Sequence, residues 1–226
     1  MLVWRSAGVL ALVVSACETA TVAPPREPTT RPPAPAPPEL TSGARRDFAS
    51  KRFDLRLPLP DGLGWRIDDR RTPWLTATHA ASSSTLMVRV WREEDLVNRA
   101  RCEERARSWA SLPPIDGAQI IEQRAVPLPA GFDTRFVAGI SAHDAAPAGE
   151  RTSPRNQPIQ GFVVAFGGWA RRCFAYAFRT EAAGDDAVRR IGERLATMVE
   201  GSLLAIELTS ELSPTIPREA PPEAPR

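Results

Sequence analysis

Apolar and polar side chains alternate through Phe53, Leu55, Leu57 and Leu59, with Asp54, Arg56 and Pro58 between them. This period of two predicts a half-buried strand over 53–60 whose prolines suit a sheet edge. Asp61-Gly62-Leu63-Gly64 turns the chain, and 65–68, 74–79 and 86–91 read as three more short strands of an antiparallel meander, with turns at 69–73 and 81–84. The period then lengthens. Glu93, Glu94 and Asp95 open a predicted helix running to about Leu112, where acidic side chains complement the positive end of the helix dipole and Pro113-Pro114 stop propagation. Cys102, Ala106 and Trp109 share one face of it. Strands return at 119–128 and 132–141, a polar loop rich in Pro, Ala and Gly covers 142–158, and 159–166 with 172–179 form a hairpin linked around Gly167-Gly168. Asp185 is placed to cap a last helix carrying Val188, Ile191, Leu195, Met198, Val199 and Leu203 on one stripe. Strands, helix, strands, helix argue an α+β fold, an antiparallel sheet with two main helices packed on it, rather than a parallel βαβ arrangement.

Both ends of the chain break this pattern. Arg5 and the apolar run around Val9 to Val14, too short to span a bilayer, have the form of an export signal, and they close on Val14-Ser15-Ala16-Cys17. That ending resembles the lipobox of bacterial lipoproteins. The resemblance implies that 1–16 is a signal peptide that is removed, and that Cys17 is diacylated and becomes the first mature residue. Several acyl chains anchor durably, at about 0.8 kcal/mol per buried methylene. Residues 17–46 then form a Pro-rich tether, whose stretch 18–40, punctuated by Pro24, Pro25, Pro28, Pro32, Pro33, Pro35, Pro37 and Pro38, reaches roughly 70 Å in extended polyproline form. Residues 209–226, with Pro214, Pro217, Pro221, Pro222 and Pro225, read as a disordered tail. The interval 47–208 is the globular domain, long enough to bury roughly 70% of its unfolded surface.

The order of elements, opening with the Phe53 to Pro60 motif followed by Trp65 and closing on an amphipathic helix, is similar to the Mog1/PsbP-like fold, which includes bacterial envelope lipoproteins of the DcrB kind. The resemblance implies an accessory, binding or assembly factor without a catalytic centre, and it transfers no functional residue.

Charge and motifs narrow the chemistry. A formal net charge of +2 with interspersed signs lacks the basic character of a nucleic-acid binder. The two histidines, His79 and His143, sit in no metal-ligand spacing, and Ser141-Ala142-His143 lacks the glycine of a nucleophile elbow. Paired acids at 68–69, 93–94, 103–104 and 185–186 fall at turns and helix starts, and no phosphate-cradling glycine motif occurs. No cofactor, metal or catalytic residue is expected. Trp169 follows two glycines at a hairpin tip beside Arg171 and Arg172, which makes these three the expected partner contact.

The expectation is therefore a non-enzymatic cell-envelope lipoprotein, lipid-anchored to a bacterial membrane, the outer one favoured, with its domain in the periplasm or at the surface. It would bind an unidentified envelope protein. The alternative is a small-ligand carrier with a pocket between sheet and helix. In an oxidising compartment Cys102 and Cys173 are an even pair. Cys173 shares a strand face with Ala175 and Ala177, opposite Phe174, Tyr176 and Phe178, so a helix can approach closely and a Cys102–Cys173 disulfide can form. The alternative is two separate buried thiols.

Overall fold

The computed structural model describes residues 40, 44–70, 73–110, 112–128, 131–142 and 158–208. Signal peptide, Cys17, nearly all of the tether, the tail and His143 lie outside them. Within them the fold is α+β, two helices packed on antiparallel sheets.

The chain opens with β1 (Arg46–Ser50) and β2 (Leu55–Leu59), paired antiparallel from Arg46↔Leu59 to Ser50↔Leu55. No strand was expected at β1, because its side chains are mostly exposed and give no apolar alternation. A two-residue strand at Glu207–Leu208 pairs with Arg56 and Leu55 on the other side of β2. β2 is thus the middle of a three-stranded sheet, and yet at Pro58 it is bonded on one side only, which is where a proline is tolerated. Leu40, assigned above to the tether, is fully buried in the core, so packing begins before residue 47.

β3 (Trp65–Asp68), β4 (Leu75–His79) and β5 (Ser84–Arg92) form the expected meander. After α1 (Arg99–Trp109), β6 (Gln119–Pro127), β7 (Asp133–Ala142), β8 (Ile159–Trp169) and β9 (Arg172–Ala182) form a second one. β9 docks on β5, giving one seven-stranded antiparallel sheet in the order β3-β4-β5-β9-β8-β7-β6. α2 (Ala187–Met198) follows and runs into a π-helical turn, Val199–Leu203.

Both faces of this sheet are covered. Phe174, Tyr176, Phe178, Val163 and Phe136 point to the face closed by α2, the π turn and the leucines of β2. Ala175, Ala177, Phe162, Val164 and Phe166 point to the face closed by α1. The helices approach closely. A Cβ at Gly161 would run into Ile191 Cγ2 of α2, and one at Gly168 would lie 2.7 Å from the Asn98 carbonyl carbon where α1 begins.

Three expectations shift. α1 begins at Arg99 and not at the acidic run, because Asn98 caps it (Arg101 N to Asn98 Oδ1, 2.9 Å) while the amides of Glu93 and Val97 are donated to carbonyls of the β8–β9 turn. That turn is Ala170-Arg171, with Ala170 at φ 52°, and Gly167-Gly168 lie inside β8. α2 starts at Ala187 after Asp186, whose carboxylate pairs with Arg189 and Arg190 instead of capping; Val188 is exposed, and Arg194 joins the buried stripe.

Candidate functional site

The end of the sheet where β8 turns into β9 gathers the residues singled out for partner contact. Loop 93–98 is laid over this turn by two main-chain hydrogen bonds, Glu93 N to Arg171 O at 2.9 Å and Val97 N to Ala170 O at 2.7 Å. This leaves Leu96 79% exposed beside the turn. Trp169 is 41% exposed, its indole lying over Gly131, where a Cβ would come 3.2 Å from Nε1. Arg171 is exposed. Arg172 is not. It is 6% exposed, with its guanidinium 5.7 Å from the Phe132 ring centroid, and burial, reinforced by nearby Arg92 and opposed by Asp54, lowers its pKa. Arg172 pairs with Trp169 across the turn and faces inward, so it is withdrawn as a contact residue. Leu96 carries no sequence signal of its own, because the acidic run Glu93, Glu94 and Asp95 before it matches a helix start.

Behind the tip, a cleft of about 430 Å³ is lined by Arg92, Glu93, Glu94, Asp95, Arg101 and Arg105 with Leu96 and Val97. Two of its charges, Glu93 and Arg105, face each other, and Arg101 pairs outside it. Glu93 Oε1 accepts from Trp91 Nε1 at 2.8 Å and lies 3.6 Å from Arg105 Nε, and Arg101 pairs with Glu104 at 3.0 Å. Underneath, Trp91 and Trp109 meet edge to face at 5.0 Å, and the Arg89 guanidinium sits 3.7 Å over the Trp109 ring. Burial, then the charges of Arg52 and Arg105, lower the pKa of Arg89. The Trp109 face beneath the guanidinium is a cation–π contact that stabilises this partly desolvated charge.

Cys102 in the first turns of α1 and Cys173 in β9 are joined by a disulfide, with Cα atoms 5.4 Å apart. The bridge forms through the small-residue face predicted for it. Cys102 and Ala106 are the buried residues of α1, so the sulfur link supplies attachment that little apolar area provides.

A second constellation was not foreseen. His79 Nε2 lies 2.9 Å from Asp61 Oδ2, and His79 Nδ1 lies 2.8 Å from Ser82 Oγ. Ser82 N also donates to Nδ1, which makes Nδ1 an acceptor and assigns the ring proton to Nε2, facing the carboxylate. Acid, imidazole and hydroxyl in this order resemble a hydrolytic relay. The surroundings differ from one. Ser82 is 1% exposed, and its hydroxyl lies 2.7 Å from Ser84 Oγ, which in turn donates to Thr180 Oγ1 at 2.9 Å. Arg194 reaches over from α2 to the carbonyls of Ser82 and Glu181 at 3.0 and 2.9 Å and to Thr180 Oγ1 at 3.1 Å. The hydroxyl faces protein on every described side, so the set works as a polar staple joining β3–β5, β9 and α2. The local signal was Asp61-Gly62-Leu63-Gly64. Asp61 takes φ 46°, Gly64 N closes the turn on Asp61 O at 2.9 Å, and a Cβ at Gly64 would collide with His79 Nε2.

Among the described residues no group of His, Cys, Asp and Glu could hold a metal ion, and no helix is long and apolar enough to cross a membrane.

Neither a protein-family model nor a curated protein sequence matches the chain. Among solved structures it is similar to the Saccharomyces cerevisiae Ran-binding protein Mog1p, at 7% identity and a TM-score of 0.48 over 74% of this chain and 97% of Mog1p. It is also similar to a protein of Bacteroides thetaiotaomicron VPI-5482, at 8% identity and a TM-score of 0.42 over 74% of this chain. The matched region spans about half the length of that Bacteroides chain, 49%.

Proposed function

We propose that this protein is a non-enzymatic lipoprotein of the bacterial cell envelope, anchored through Cys17, whose domain acts as an accessory or assembly factor by binding a protein partner at the β8–β9 tip. The observation that carries the reading is that Leu96 and Trp169 both stay exposed at this end of the sheet, on loop 93–98 and beside the β8–β9 turn, two segments held to each other by main-chain hydrogen bonds, since aromatic and aliphatic side chains on a preorganised backbone are what interfaces use as anchors. The cleft beside it favours a protein partner over a small apolar ligand, because ligand pockets are mostly apolar and this one is walled mainly by charged side chains. Closure of the Asp61–His79–Ser82 relay around a buried hydroxyl favours a non-enzymatic role.

A photocrosslinking side chain placed at Leu96 or Trp169 in cells tests the tip. A discrete adduct is expected from both positions and not from Val188, exposed on α2. Adducts of equal yield from all three, or from none, would remove the tip as a binding surface. Anchorage is tested separately by fatty-acid labelling, which Cys17→Ala should abolish. Labelling equal to wild type would refute the lipobox.

A further inference from the structure

The seven-stranded sheet ends on β6, a nine-residue strand that among the described residues has a partner, β7, on one side only. Every side chain of it except Val126 is exposed, and Ile121, bulged out of register between Ile120 and Glu122, is 53% exposed. A terminal strand presents unpaired main-chain N–H and C=O groups to any second strand. The opposite end of the sheet, β3, has four residues. Two features blunt β6, the bulge and Pro127, and both lie near its ends. Glu122 to Ala125 remain regular.

The charges on this stretch identify what fits it. Glu122 and Arg124 lie on one face of the strand, their side chains 3.0 Å apart. If a second β6 runs antiparallel with its two-fold axis at Gln123, Glu122 stands opposite the partner's Arg124 and Arg124 opposite the partner's Glu122. Each charge then has an opposite charge beside it on its own strand and another across the pair. Moving the register by one residue sets Glu122 opposite Gln123 or Ala125, and moving it by two sets Glu122 against Glu122 or Arg124 against Arg124. Like charges directly opposite destabilise a strand pair, so a single register is favoured. We propose that β6 is a self-association edge, through which two copies of this chain join antiparallel about Gln123 to continue one sheet into the other. The isologous contact closes on itself and leaves no β6 edge to recruit a third copy.

The register makes the proposal testable in the full chain carrying Cys17→Ala, in which any added thiol is the only one outside the Cys102–Cys173 bridge. Gln123→Cys lies on the axis, with its copy at the roughly 5 Å Cβ separation of a directly opposed pair, and mild oxidation should convert it to a disulfide-linked dimer. Ile120→Cys lies three residues off the axis, roughly 20 Å from its own copy, and should stay monomeric in the same assay. By sedimentation, Glu122→Arg and Arg124→Glu should each weaken the dimer on the order of tenfold, through two like-charge oppositions, and the double variant should recover it. Because both side chains are exposed, an unchanged thermal midpoint will show that the fold is intact. A monomer at every concentration, equal crosslinking from both cysteines, or a double variant no better than the singles would each overturn the pairing.

Discussion

Removing the Cys102–Cys173 bridge is the perturbation whose size the structure defines best. The two cysteines are 71 residues apart in sequence. Closing a loop of that length removes chain entropy from the unfolded state equivalent to about 4 kcal/mol at room temperature. Both cysteines are fully buried, so Cys102→Ala/Cys173→Ala also leaves space where the sulfurs were, at about 1 kcal/mol for each methyl-sized void. Reduction of the wild-type chain keeps the sulfur atoms and loses only the bond. Denaturant unfolding should therefore place the reduced protein about 4 kcal/mol below the oxidised one, or roughly 8–16 °C in Tm, with the alanine variant lower still. Hydrogen exchange should rise first across α1, whose buried side chains are Cys102 and Ala106, and later in α2, which buries Ile191, Leu195 and Met198. A difference below about 1 kcal/mol, or two alkylatable thiols in the unreduced denatured chain, would refute the reasoning.

Other measurements probe the opposite face and the staple. Tyr176 is the single tyrosine, fully buried with its hydroxyl donating to Met198 O at 3.4 Å, and desolvation pushes its pKa far above the ordinary value, with the nearby Ser202 hydroxyl acting the other way. The folded chain then keeps a proton that the unfolded chain releases, so stability is unaffected below about pH 10 and falls as pH rises beyond it. Phenolate absorbance should appear only with unfolding, and a reversible titration near pH 10 with native circular dichroism would contradict this burial. Gly161→Ala should cost about 1–3 kcal/mol by forcing Ile191 off β8. Combining it with Ile191→Ala should cost clearly less than the sum of the two single changes, and strict additivity in a double-mutant cycle would disprove the contact. His79→Phe keeps the bulk but removes the imidazole partner of the Asp61 carboxylate and one of the two partners of the Ser82 hydroxyl, so it should lose about 1–3 kcal/mol of unfolding free energy, whereas a loss under about 0.5 would mean that solvent replaces the staple.

The fold class and the disulfide were legible because both rest on local periodicity. In β9 the two faces differ in size and not in polarity, Phe174, Tyr176 and Phe178 against Cys173, Ala175 and Ala177, and the small face was readable as a seat for a helix. What failed depended on groups distant in sequence. The acidic run at 93–95 matches a helix start, but the hairpin carbonyls of Ala170 and Arg171 take the amides of Val97 and Glu93 and hold the segment out of a helix until Asn98 caps α1. Gly167 and Gly168 look like a turn because glycine permits one. Their use is close approach, Gly168 to the start of α1 and Gly167 to Thr134, and the turn falls on Ala170 instead. The buried staple of Asp61, His79, Ser82, Ser84, Thr180 and Arg194 draws on four segments of the chain, and only the Asp61 turn left a local trace.

These departures share one mechanical consequence. Cys102 lies one helical turn beyond Asn98, loop 93–98 is bonded to the carbonyls of Ala170 and Arg171, and Cys173 follows that turn on β9. Bridge, cap, loop and turn therefore form a closed ring of one covalent and several hydrogen bonds, which carries exposed Leu96 and is entered from β8 at exposed Trp169. A backbone held in this way loses little freedom when a partner covers it, which raises affinity without adding a contact. The sulfur bond thus bears on the tip as well as on stability. Reduction should lower the yield of tip adducts under conditions where circular dichroism still reports a folded sheet. An undiminished yield would mean that the loop holds its place through the main-chain hydrogen bonds alone.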